Sequence, residues 1–191
     1  MYNHIYLSDL SDEQKLIYFQ NDFHWKVIKH RYYNPRLIQG ITSKSNLVDT
    51  EYSENFVLEI LNDPNKIWEK PFNIQISNVS RLLLLTMYSL SGGIYYVTDE
   101  RLKEAFNSRI NHEVVYNNYQ KNGNEYNFAL KELVGAFIIR TIDKNDTRYS
   151  FFNPSIDDFI FTYFQNSNEE YLQLLKSSVF FEQFKYRIAT T

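Results

Sequence analysis

The chain of 191 residues is long enough for one sizeable domain or two small ones, and its 43% hydrophobic content can fill a core. The absence of cysteine excludes disulfides and thiolate metal sites and is typical of a reducing compartment. With 20 basic and 23 acidic residues, the net charge of -3 gives no overall field that would attract nucleic acid or a membrane surface.

The start of the chain has no basic segment followed by an apolar run, so we do not expect a signal peptide. The longest apolar run, Leu82–Met87, is far shorter than the roughly 20 residues of a membrane-spanning helix. We therefore predict a soluble, cytoplasmic protein without a membrane partner.

The first 76 residues have the apolar spacing of a helical domain. Ser11–Glu13 is typical of a helix start, and the apolar residues after it can line one face through Gln20. A second helix is predicted over His24–Arg31. A third begins at Asn34 and Pro35, because asparagine caps helices and proline fits the first turn.

Within this third helix, Gly40 would allow close packing against a neighbour. The polar stretch Thr42–Ser53 predicts a loop, and Glu54–Asn62 resumes helical spacing. A further helix follows, which Pro71 should break or kink near Lys70.

From residue 77 the pattern predicts three helices, a β-hairpin and a closing helix, which is the order of a winged helix. The predicted elements are helices at Ser80–Leu90, Asp99–Asn107 and Asn124–Gly135, strands at Ile94–Val97, Phe137–Ile142 and Arg148–Phe152, and a closing helix from Ser155. Asp143–Thr147 has the residue types of a tight turn between the last two strands. Glu169–Phe184 is predicted to form one more amphipathic helix.

The predicted fold is therefore mainly α, with an N-terminal helical bundle followed by a winged-helix domain that carries a small β-hairpin wing. The domains are a helical lid at 1–76, the winged helix at 77–165, and a C-terminal helix at 166–191 that could begin a helical-repeat array. We expect the winged-helix core to contain the following residues: Leu82, Leu85, Leu130, Leu133, Phe152 and Phe159.

Catalytic and metal motifs are missing from the sequence. The five glycines form neither the GxxxxGK[ST] phosphate loop nor the GxGxxG dinucleotide turn, and the four histidines have no metal-site spacing. Asp157 and Asp158 resemble a carboxylate pair, but they lie in the first turn of the closing helix, where acids favourably oppose the helix dipole. We therefore predict no catalytic residue and no metal ligand.

The segment 29–36 (KHRYYNPR) is the strongest candidate for a binding site. It places cations and aromatic rings before and into a helix N-terminus, which suits an anion or a nucleotide. The alternative is a solvated helix end with Tyr32 and Tyr33 packed against the core.

Four stretches carry a resemblance to a known family: Tyr2–Leu10 (YNHIYLSDL), Ile28–Thr42 (IKHRYYNPRLIQGIT), Trp68–Phe72 (WEKPF) and Phe152–Phe159 (FNPSIDDF). Taken in this order, the four stretches resemble the region that follows the ATPase core in STAND-type P-loop NTPases of bacteria. The resemblance extends to about residue 165. That family is similar to the NACHT and NB-ARC switches and is often associated with antiphage defence. Its proteins combine an effector, an ATPase core, a lid with a winged helix, and a helical-repeat sensor.

The resemblance implies a partner, the ATPase core of a parent protein, and self-oligomerisation of that parent. It also implies that the lid closes over ATP or ADP bound with Mg in the parent. Pro35 and Arg36, which match the lid motif, and the neighbouring Tyr33 would then contact the nucleotide. The chain departs from the full family pattern because it has no P-loop and no acidic magnesium-binding strand. We therefore expect no cofactor and no enzymatic activity in the chain itself.

The leading functional hypothesis is a nucleotide-gated regulatory module in defence or signalling. The alternatives are a winged-helix DNA-binding regulator and a stand-alone adaptor that binds a protein partner. Nucleic acid is the less favoured ligand, because the helix Asn124–Gly135 carries two glutamates and one lysine. A helix that reads DNA needs cations for phosphates and donors for base edges. The predicted wing contributes only Arg140, Lys144 and Arg148 as cations.

Overall fold

A computed structural model of the chain describes residues 1–42, 51–92, 96–143 and 146–188, without the side chains of residues 36 and 186–188. The described part is mainly helical, with a small three-stranded antiparallel sheet. The chain divides into two compact units, at 1–75 and 76–191. Most of the predicted Thr42–Ser53 loop lies outside the described residues.

The first unit consists of short helices: α1 (Tyr2–Tyr6), α2 (Asp12–Phe19), α3 (Phe23–Ile28), α4 (Pro35–Ile41), α5 (Glu54–Asn62) and α6 (Lys66–Lys70). A 3₁₀ turn at Gln20–Asp22 joins α2 to α3, and a π-helical turn at Pro71–Gln75 follows α6.

Local sequence signals set several of these boundaries. Ser11 forms a capping box with Gln14 at the start of α2, and the Ser53 hydroxyl caps α5. The α-helical geometry of α6 stops at Lys70, as the proline at the next position predicts. A Cβ atom at Gly40 would lie 3.0 Å from Cδ1 of Ile67, so this glycine lets α4 pack closely in the unit.

The second unit contains α7 (Asn78–Ser91), β1 (Val97–Thr98), α8 (Asp99–Asn117), α9 (Glu125–Leu133), β2 (Ile138–Asp143), β3 (Asp146–Phe151), α10 (Ser155–Asn166), α11 (Asn168–Lys176) and α12 (Glu182–Ile188). The strand order is β1-β3-β2, and both pairs are antiparallel. Helix α7 is the centre of this unit, since helices α8 to α12 all pack against it and nearly all its side chains from Val79 to Leu90 are buried.

Two predicted helices differ from the observed ones. The helix predicted at Asp99–Asn107 continues to Asn117, because Ile110 and Glu113 extend its buried face by two more turns. The single helix predicted over Glu169–Phe184 is broken at residues 177–181. There the Ser177 and Ser178 hydroxyls donate to the Leu174 carbonyl, and the Gln183 side chain accepts the N–H groups of residues 179 and 180.

Four of the predicted core residues are buried: Leu82, Leu85, Leu133 and Phe159. Leu130 and Phe152 are half-buried instead. Of the strand predicted at Ile94–Val97, only the end is described, and it pairs there as β1. In the described part of the chain, none of the helices has both the length and the apolar character needed to cross a membrane.

Helix α10 provides a matched test of this packing. Phe159 is 4% exposed and Phe161 is 49% exposed on the same helix. We predict that Phe159→Ala lowers the free energy of unfolding by about 3–5 kcal/mol, since it leaves a cavity in the core. Phe161→Ala should change it by less than about 1 kcal/mol. Urea unfolding of both variants checks this, and equal losses would contradict the packing of α10.

Candidate functional site

The predicted binding segment 29–36 lies between α3 and α4. His30 organises its turn: the His30 carbonyl accepts the Tyr33 N–H at 2.9 Å, and its ring Nδ1 accepts the Tyr32 N–H at 3.3 Å. The other ring nitrogen lies 3.2 Å from Oδ1 of Asn62, at the end of α5. The turn is thus fixed by contacts within the segment and by one contact to a neighbouring helix.

Lys29, Arg31 and Tyr32 of this segment lie at the surface of the first unit. Tyr32 is 46% exposed, and the Arg31 guanidinium lies 4.4 Å from the centre of its ring. Lys29 lies 5.8 Å from the ring centre of Trp25, which is also exposed. Of the alternative prediction, the packing of Tyr32 against the core is not observed, whereas Tyr33 is half-buried and the helix end around it is exposed.

The three predicted nucleotide-contact residues lie at or just before the start of α4. Tyr33 is half-buried and Pro35 is exposed. Arg36 belongs to the first turn of α4, but its side chain lies outside the described residues. The Asn34 carbonyl accepts the Ile38 N–H, so the helix begins where the Asn-Pro pair predicts.

The two glutamates of α9 do not face solvent as a DNA-facing helix surface would. Oε2 of Glu132 accepts hydrogen bonds from the Ser80 hydroxyl at 2.5 Å, the Ser77 hydroxyl at 2.7 Å and the Ser77 N–H at 3.0 Å. Burial alone would raise the pKa of Glu132, but the hydrogen bonds from Ser80 and Ser77 outweigh it and lower this pKa. This carboxylate therefore joins α9 to the start of α7.

Glu125 is 4% exposed and accepts the Asn122 N–H in the loop before α9. Burial acts to raise the pKa of Glu125, and backbone N–H groups of residues 122, 123 and 125 lower it by a larger amount. The exposed side chains of α9 are consequently neutral or basic, including Asn127, Phe128 and Lys131. A count of charged residues in the sequence missed this surface charge of α9, because it cannot tell which acids are held by hydrogen bonds within the unit.

A third acid, Asp99, links α8, α9 and β3. Its Oδ1 accepts the Tyr126 hydroxyl at 3.0 Å and the Tyr149 hydroxyl at 2.9 Å. Burial and the hydrogen bond to Asp99 raise the pKa of Tyr149 to about 12. Both phenols therefore stay protonated at neutral pH and act as donors that fix the sheet to the helices.

A buried arginine forms the most unusual charged cluster of the second unit. The Arg109 side chain is 2% exposed, and its Nη2 lies 2.8 Å from Oε1 of Glu113 and 2.7 Å from Oε1 of Glu170. Glu113 also accepts a hydrogen bond from the Asn117 amide at 2.8 Å. Glu113 follows Arg109 by four residues on α8, a spacing visible in the sequence, whereas Glu170 comes from α11.

His112 lies beside this cluster on α8. Burial lowers the pKa of His112, and the nearby charge of Arg109 lowers it further. Its ring centre lies 4.4 Å from that of Tyr116, so the neutral imidazole packs as an aromatic side chain. The described residues contain no group of three or more His, Asp or Glu side chains that could hold a metal ion.

Comparison of the chain with family models, curated proteins and solved structures finds no match.

Glu132→Gln tests the link between α9 and α7. We predict a loss of about 1–3 kcal/mol in the free energy of unfolding at pH 7, because a charged acceptor of three hydrogen bonds becomes neutral. The pKa of Glu132 is lower in the folded chain than in the unfolded chain. Its contribution to the free energy of unfolding is therefore complete above the pKa of the unfolded chain, and it disappears as the pH falls through the pKa of the folded chain.

The free energies of unfolding of the wild type and of Glu132→Gln should therefore become more similar as the pH is lowered below the ordinary pKa range of glutamate. Glu104→Gln, a change at an exposed position of α8, is the control and should have little effect. A Glu132→Gln loss that stays constant down to pH 3 would contradict the assigned role.

Proposed function

We propose that the chain is a non-catalytic regulatory module of a STAND-type ATPase, in which a helical lid and a winged helix form a nucleotide-gated switch. The lid senses adenine nucleotide bound by the ATPase core of the parent protein. The winged helix then changes its contacts and hides or exposes a surface for oligomerisation. Such a switch requires contacts that differ between two states.

The observation that carries this proposal is the order of elements in the second unit. Helix α7, strand β1, helices α8 and α9 and the β2–β3 hairpin follow one another in the order expected of a winged helix. The antiparallel order β1-β3-β2 places the short first strand beside the hairpin, as such a domain requires. On this basis we propose that the second unit is a winged-helix domain.

The segment 29–36 supports the lid part of the proposal. Its described cations, Lys29 and Arg31, and the Tyr32 ring are exposed and lie in the turn before α4. Exposed cations and an aromatic ring beside a helix start are groups that another molecule can contact. The resemblance assigns that place to the nucleotide-bearing ATPase core.

A DNA-binding winged helix is the second candidate. It gains support from the inward orientation of Glu125 and Glu132, which leaves Asn127 and Lys131 as exposed donors on α9. The cations on the described wing are few, however: Arg140 is exposed and Arg148 forms an ion pair with Asp146 at 2.8 Å. Few phosphates could therefore be neutralised.

Arg36→Ala in the intact parent tests the lid. We predict that it impairs nucleotide-dependent activation and changes the free energy of unfolding of this chain by less than about 1 kcal/mol. Arg31→Ala is the comparison variant, because it removes a nearby cation of the same segment that lies on the Tyr32 ring and is not one of the three predicted nucleotide contacts. Activation is measured as nucleotide-dependent oligomerisation.

Equal effects of the two arginine changes would argue for general surface charge and against a lid contact.

The isolated chain should bind ATP with an affinity weaker than about 1 mM, because it lacks a phosphate loop. ATP turnover by the purified chain would overturn the assignment.

Binding of the chain to duplex DNA distinguishes the two candidates. We predict that fluorescence anisotropy detects no binding at physiological salt, since the described part of α9 and the wing exposes few cations. A micromolar affinity that falls steeply with salt would favour the second candidate. In that case Lys131→Ala should reduce the slope of the logarithm of the binding constant against the logarithm of the salt concentration by about 1, as loss of one phosphate contact does.

A further inference from the structure

The loop 118–124 between α8 and α9 contains the only Asn-Gly pair of the chain, Asn122 and Gly123. Both residues are exposed, so water reaches them. Gly123 has a φ of 88° less 3°, that is 85°, in the left-handed region, and a Cβ atom there would meet no other atom within 4 Å. Because glycine has no side chain, nothing at position 123 hinders the approach of its backbone nitrogen to a neighbouring group.

An asparagine that precedes a glycine can lose its side-chain amide without an enzyme. The backbone nitrogen of the glycine attacks the side-chain carbonyl carbon Cγ, and its proton passes through a base to the departing amide, which leaves as ammonia. Water then opens the cyclic imide at one of its two carbonyls and gives aspartate or isoaspartate. The reaction is favoured by a side chain that is folded back, a base at the attacking nitrogen and a donor for the oxyanion.

The side chain of Asn122 is held in the folded-back position. Its Oδ1 accepts a hydrogen bond from the Asn124 N–H at 3.0 Å. This is the hydrogen bond of an Asx turn, which places the side chain over the peptide that follows it. Negative charge develops on Oδ1 when Cγ is attacked, and the Asn124 N–H stabilises this charge as the donors of an oxyanion hole do.

Glu125 provides the base. Its side chain is buried and accepts the Asn122 N–H, and the Gly123 N–H acts on the same carboxylate. The pKa of Glu125 is lowered, so this group is ionised at neutral pH. A carboxylate beside the attacking nitrogen can take its proton as the new bond forms.

We propose that residues 122–125 form a site of self-catalysed deamidation. In this site the Gly123 nitrogen attacks Cγ of Asn122, and Glu125 accepts the proton. The isoaspartate product inserts one main-chain carbon between the two N–H groups that Glu125 holds, so the reaction alters the start of α9. This modification is independent of the nucleotide switch proposed above.

Incubation of the purified chain at neutral pH and physiological temperature tests the site, with peptide mapping by mass spectrometry as the readout. We expect Asn122 to lose its amide at least about threefold faster in the folded chain than in the same chain unfolded in guanidinium chloride, because the loop lowers the barrier. Asn107 is the internal control. It is exposed on α8 and precedes Ser108, but the N–H that follows it is bonded within the helix, so it should not react measurably in the folded chain.

Glu125→Gln separates the base from the hydrogen-bond acceptor. Glutamine can still accept the two N–H groups but cannot take a proton at neutral pH, so the folded variant should react at least about threefold more slowly than the wild type. The rates of the two unfolded chains should be equal. Glu104→Gln removes an exposed acid of α8 and should leave the rate at Asn122 unchanged.

Two results would overturn the proposal. The first is a folded wild type that loses the Asn122 amide no faster than the unfolded chain, since the sequence alone would then govern the reaction. The second is a folded Glu125→Gln variant, verified by circular dichroism, that reacts as fast as the wild type. If this variant does not fold, the comparison of the folded with the unfolded wild type decides the matter by itself.

Discussion

The second unit depends on the burial of α7 on all sides. A helix enclosed in this way must satisfy its polar side chains within the protein, because an unpaired buried hydroxyl is costly. Thr86 meets this requirement by donating to the Leu82 carbonyl of its own helix at 2.7 Å. Ser80 and Ser89 meet it through Glu132 and Gln183, which belong to α9 and α12. The positions of these two helices are therefore fixed by hydrogen bonds as well as by apolar packing.

The same principle explains why acids are placed inside this unit. Glu132, Asp99 and Glu113 each accept hydrogen bonds from side chains or form an ion pair with a residue that also contacts another element. A carboxylate can accept several donors at once, so one buried or half-buried acid can hold several elements. The net charge of the chain consequently does not describe the charge of any particular surface. The charge that α9 presents to solvent must be judged from its exposed residues alone.

Features governed by local sequence were predictable, and those governed by distant contacts were not. Apolar spacing gave the start of α5, Ser11 gave the start of α2, and the proline at position 71 gave the end of α6. The length of α8 was missed, because Ile110, His112 and Glu113, beyond its predicted end, are held by burial in the folded unit. The break after α11 was missed for a similar reason, since the Gln183 side chain that caps it is itself held by Ser89 of α7.

The segment 29–36 and the Arg109 cluster differ in how their residues are distributed along the sequence. The segment 29–36 was found from sequence, because its cations, rings and helix start are neighbours in the chain. It is an exposed surface on a helix of only seven residues, and the favourable field of a helix end extends little beyond the first turn. The proposed nucleotide contact would therefore need a second surface to complete it. The charges of the Arg109 cluster all belong to one compact unit. The cluster could not be found from sequence in the same way, since Glu170 lies 61 residues from Arg109.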